Sequence, residues 1–201
     1  MSARIRNINE QSQEMLHVST ISPLARTLAH AAIALGAIVP ALLGATGALA
    51  AEPRLLGTFK DWNAFAFEEG GRKVCYISSQ PKKKEPAAAK RGDVYVLVTH
   101  RPAEKTLDVV SFIAGYPFKK EAETTVDVAG KPFKLFTEGE TAWARDADTD
   151  KAITTAMRDG KGKPMVVKGT SGRGTKTTDT YSLDGMTQAY DAINQACGVK
   201  R

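Results

Sequence analysis

VYVLVT, residues 94–99, is the stretch whose reading decides the fold. Nearly every side chain in it is apolar and three are valine, which predicts a strand buried on both faces. VVSFIA, residues 109–114, pairs with it across a turn at Arg101-Pro102. Upstream, WNAFAF (62–67) alternates bulky and small side chains, with Phe65 and Phe67 on one face. It reads as a hairpin with VCYISS (74–79), because Gly70-Gly71 between them suits a tight turn. Downstream, 124–128 and 133–136 flank Ala129-Gly130-Lys131 as a second hairpin. A short piece, 141–144, carries Trp143, and 165–169 and 177–183 flank a glycine-rich turn.

Two helices interrupt the strands. Ala152, Ile153, Ala156 and Met157 form an apolar stripe over 149–158, with Asp148 as the expected N-cap. Met186, Ala189, Tyr190, Ile193 and Cys197 recur at steps of three and four after Asp184, the expected cap, and Gly198 ends that helix. The expectation is a mainly β, single sandwich- or barrel-like domain with a short internal helix and a C-terminal helix packed on it.

Residues 27–50, TLAHAAIALGAIVPALLGATGALA, contain no acid, Lys or Arg and end in Ala48-Leu49-Ala50, the small-residue form a signal peptidase accepts. The sequence therefore divides into a signal peptide, 1–50, and a domain, 51–201. Translation starting at Met15 would give a shorter leader. Retention of the run as a membrane anchor is the rival reading, since about 20 apolar residues span a bilayer. After cleavage the domain is expected in the periplasm, outer envelope or medium, with no stable membrane insertion.

The chain has 28 basic and 22 acidic residues. Removing Arg4, Arg6, Arg26, Glu10 and Glu14 with the leader leaves a surplus of +5. That surplus favours an anionic envelope or host-surface component, or an as yet unnamed protein. Nucleic acid is not expected, for want of interleaved basic and aromatic residues. The basic residues predicted to meet an anionic partner are Lys82, Lys83, Lys84, Lys90 and Arg91, in an exposed loop over 81–92, with Arg173 and Lys176 of the glycine-rich turn. Cys75 and Cys197 are predicted to form a disulfide, as two cysteines in an oxidising compartment do; two unpaired buried thiols are the alternative.

No catalytic, cofactor or metal site is expected. His100 is the one histidine after residue 50, and its position beside Arg101-Pro102 predicts a surface turn. The glycine-rich turn departs from a phosphate loop: Thr175 stands where lysine is needed, and a strand follows instead of a helix. Asp146, Asp148 and Asp150 begin like a calcium loop, but Lys151 and Met157 fill positions that need Gly and Glu. A hydrolase built on Ser171 or Ser78 with Lys168 or Lys176 would need a desolvated lysine, and nothing in the sequence buries either one. Phe65, Phe67, Phe112, Phe133, Phe136 and Trp143 are expected in the core.

VCYISSQP (74–81), RGDVYVLVTHRP (91–102), AGYPF (114–118), FKLF (133–136), DTYSL (179–183) and the terminal ACGV (196–199) resemble the invasion-associated locus B family of exported alphaproteobacterial proteins. The likeness is spread along strands and turns, and so speaks for a shared fold. It implies a signal peptide, a β-rich envelope domain and no enzymatic activity.

Overall fold

The structure is a computed structural model that describes residues 52–87 and 89–200. The expected leader lies outside those residues. Eleven strands form among them: β1 (Arg54–Phe59), β2 (Trp62–Glu69), β3 (Arg72–Ser79), β4 (Lys83–Glu85), β5 (Tyr95–Arg101), β6 (Thr106–Ile113), β7 (Thr124–Val128), β8 (Lys131–Glu138), β9 (Thr141–Trp143), β10 (Pro164–Thr170) and β11 (Lys176–Ser182). Two α-helices, α1 (Ala147–Asp159) and α2 (Met186–Cys197), follow β9 and β11 respectively. None of the helices described is long and apolar enough to cross a membrane.

Every strand pairing is antiparallel, and the spatial order is β1-β2-β3-β5-β6-β9-β8-β7-β10-β11-β4. β8 is the corner. Its residues Lys131 to Leu135 pair with β7, while Phe136, Thr137 and Glu138 pair with β9. One strand thereby joins two halves that share a core, giving a mainly β, sandwich-like domain. Trp62, Ile77, Val98 and Phe112 enter that core from one half, and Val126, Met165 and Tyr181 from the other. Ile153 and Met157 of α1 and Met186, Tyr190 and Ile193 of α2 complete it.

The strand reading from VYVLVT holds: Val96, Leu97 and Val98 are all buried, and β5 lies between β3 and β6. A 3₁₀ turn, Pro102–Glu104, makes the expected reversal into β6. Three local expectations shift. Asp146, not Asp148, caps α1: its backbone is extended, and its carboxylate accepts the Thr149 N–H at 2.7 Å. Gly185 occupies the cap of α2 at φ 92°, where a Cβ would lie 1.8 Å from the Phe59 carbonyl oxygen. Only glycine fits there. Phe65 and Phe67 leave the core because Trp62, Ala64 and Ala66 take the inward positions of β2. Phe65 instead stacks on Tyr76 outside, at 5.0 Å between ring centres.

The two sheet margins differ. β1 shifts register between Leu55 and Gly57, and exposes Leu55. β4 is three charged residues long.

Candidate functional site

Cys75 faces inward from β3 and Cys197 from the last turn of α2, and the two form a disulfide with Cα atoms 6.1 Å apart. The bridge fastens the C-terminal helix to the centre of the first half. His100 is the strand partner of Cys75. It is fully buried, which corrects the surface-turn reading: β5 continues past it to Arg101, and its place in the alternation is inward.

Asp108 donates its backbone N–H to His100 Nδ1 at 3.1 Å. Nδ1 is therefore an acceptor, and Nε2 is the nitrogen that carries hydrogen and donates to Asn194 Oδ1 at 3.0 Å. Tyr190 donates its hydroxyl to Asp108 Oδ1 at 2.5 Å, and its ring meets that of His100 edge-on. Asp150 of α1 accepts the Val110 N–H at 2.9 Å. These groups tie both helices to β5 and β6 behind the disulfide. With both ring nitrogens engaged, His100 holds structure rather than a substrate. Tyr190→Phe is expected to cost about 1.5–3 kcal/mol, the range for a hydrogen bond to a charged group. Urea unfolding of the variant measures it; a change within 0.5 kcal/mol would show that the hydroxyl is dispensable.

A second buried constellation surrounds Arg91. Its guanidinium grips Asp179 of β11 through two bonds, Nη1 to Oδ1 at 2.7 Å and Nη2 to Oδ2 at 2.6 Å. Nε and Nη2 also donate to the Ala114 carbonyl, and the group lies 5.0 Å from the centre of the Tyr116 ring. The Arg91 and Asp179 side chains are 4% and 6% exposed. Burial works against the guanidinium charge, but the hydrogen bond and charge of Asp179 outweigh it and raise the pKa of Arg91. Burial likewise pushes the Tyr116 and Tyr181 phenols up, so both stay neutral beside this pair. Tyr116 meets Thr177 Oγ1 at 2.5 Å.

Arg91 is thus not part of an exposed basic loop, as the sequence suggested. Its carboxylate partner sits on β11, distant in sequence, and no local pattern announces it. The segment 81–92 is also more than a loop: β4 pairs with β11, Lys84 opposite Asp179. Lys82, Lys83, Lys84 and Lys90 are exposed, with Lys82 bonded to Asp61 and Lys83 to Glu85.

Amides of the glycine-rich turn are engaged by the protein's own carbonyls. Ser171 N–H reaches Thr175 O, Gly174 N–H reaches Ser171 O and Gly172 N–H reaches Pro117 O, leaving no cradle for a phosphate. Ser171 is buried and accepts the Thr175 N–H, while Lys168 and Lys176 are exposed, so neither lysine is desolvated as a base must be. Arg173 and Lys176 are exposed on the same hairpin. Among the described residues no group of His, Cys, Asp and Glu is placed to hold a metal.

The family model described as Invasion associated locus B (IalB) protein matches residues 62–194, more than half of the chain. Among solved structures the chain is similar to invasion associated protein b from Bartonella henselae, at 15% identity and a TM-score of 0.48, over 70% of this chain and 95% of that one. No curated protein matches the chain in sequence.

Proposed function

The chain belongs to the invasion associated locus B family, and from that premise we propose that it is an exported, non-catalytic envelope domain that binds an anionic or protein partner. The observation that carries the reading is where the reactive side chains went. His100, Asp108, Asp150 and Asp179 are all buried and engaged in holding strands and helices together. Ser171, one of the two serines the sequence offers as a nucleophile, is locked in a turn. Lysine, arginine and threonine side chains that reach solvent on the strand faces are chemistry for recognition.

Export is supported by the leader pattern over residues 27–50 and by the Cys75–Cys197 bridge, which persists in oxidising compartments. The family name ties its members to invasion, and contact with a host surface is one setting in which such a domain would bind.

Fractionation with mass spectrometry of the N-terminus, followed by crosslinking in cells, tests the proposal. The expected result is an envelope protein beginning at Ala51 that crosslinks reproducibly to one identified component. A full-length cytosolic chain with free thiols, or turnover of lipid, glycan or peptide by the purified protein, would overturn it.

A further inference from the structure

The hairpin of β10 and β11 lies near one end of the ladder, and its charge is one-sided. Residues 160–178 contain five basic residues, Lys161, Lys163, Lys168, Arg173 and Lys176, and no acidic one. None of the five takes part in an ion pair among the described residues. Asp179, the first carboxylate beyond this stretch, points inward and is neutralised by Arg91.

The register gives the outward face its pattern. Lys168 stands opposite Thr178 on one side and Thr125 on the other, and Lys176 stands opposite Thr170. The two lysines are diagonal neighbours, about 7–8 Å apart by sheet geometry, within a field of threonine hydroxyls. Thr180 and Lys83 of the edge strand extend that field by another pair. Of the carboxylates that share this face among the described residues, Glu85 is paired with Lys83 at 2.8 Å, and Asp127, which accepts the Gly130 N–H at 2.8 Å, is the one negative group left against the lysines. Arg173 projects from the turn at the end of the same hairpin, exposed.

The outward positions of β7, β10 and β11 are Thr125, Asp127, Pro164, Val166, Lys168, Thr170, Lys176, Thr178, Thr180 and Ser182, with no aromatic ring among them. The bases of a single strand would lack a ring to stack on. A layer of phosphates needs only ammonium, guanidinium and hydroxyl donors on a broad face.

We propose that this face docks on a bilayer surface carrying anionic phospholipid headgroups, with Lys168, Arg173 and Lys176 as the principal contacts. The inference rests on the binding-domain reading above and names the partner chemistry.

Sedimentation of the purified protein with vesicles tests it. Binding to vesicles of phosphatidylglycerol and phosphatidylcholine, none to phosphatidylcholine alone, and release in 1 M salt are the expected results, since the screening length falls to about 3 Å there. The variant K168A/R173A/K176A is expected to bind about a hundred-fold more weakly, at about fivefold per cation. The charge-matched control R54A/R72A/K73A, on β1 and β3 of the other half, is expected to stay within threefold of the parent. Equal binding to both vesicle types, or equal loss in both triple variants, overturns the inference. So does retention by a sulfated glycan without vesicle binding. A crosslinked envelope protein in the absence of vesicle binding would remove this inference alone and leave the binding-domain reading standing.

Discussion

Replacing Cys75 and Cys197 together by alanine is expected to lower the unfolding free energy by about 5 kcal/mol. The bridged residues are 122 apart in sequence, and closing a loop of that length removes about 16 cal/mol/K from the unfolded chain on the chain-entropy model. Few single constraints in a domain this size are worth more, given total stabilities of about 5–15 kcal/mol. Loss of the link also frees the last turn of α2 above His100, where Asn194 meets Nε2 at 3.0 Å. Urea unfolding, with and without reductant, gives the measurement: the reduced parent and the alanine variant should coincide. If the oxidised parent and the variant unfold within 1 kcal/mol of each other, the bridge does not constrain the chain.

Arg91→Ala should be nearly as damaging, at about 3–5 kcal/mol, because it abandons the buried carboxylate of Asp179. The cost belongs to the orphaned charge rather than to the pair. Arg91→Met with Asp179→Leu is therefore expected to recover most of the loss. Arg91→Lys should fall between, since a point charge cannot reproduce the fork that reaches both carboxylate oxygens and the Ala114 carbonyl. Thermal and urea unfolding of the three variants would check the order. Arg91→Ala behaving like the parent would mean that Asp179 finds other partners or takes up a proton.

Much of the fold was legible because its signals are local. Alternation along β2, the apolar run of β5, the glycine pair at 70–71 and the stripe of α2 each report on residues a few places away. What the sequence hid depends on distant partners. The inward turn of His100 follows from its register with Cys75, the capture of Arg91 from Asp179 on β11, and the pairing of β4 from Lys84 meeting Asp179. A basic run such as 82–91 looks uniform in sequence. Folding divides it into lysines left in solvent and one arginine withdrawn into the interior. The same limit applies to Phe65 and Phe67, whose outward placement was decided by smaller neighbours filling β2's inner face.

The margins of the ladder carry a last consequence. An open row of strands offers each end as a template for another chain, and long flat ends invite stacking into fibrils. Here one end is kinked at Leu55 and Gly57, and the other is cut to three residues with two adjacent ammonium groups. Neither presents the straight, neutral run that propagates such growth, so the domain can be crowded at high local concentration without concatenating through its sheet.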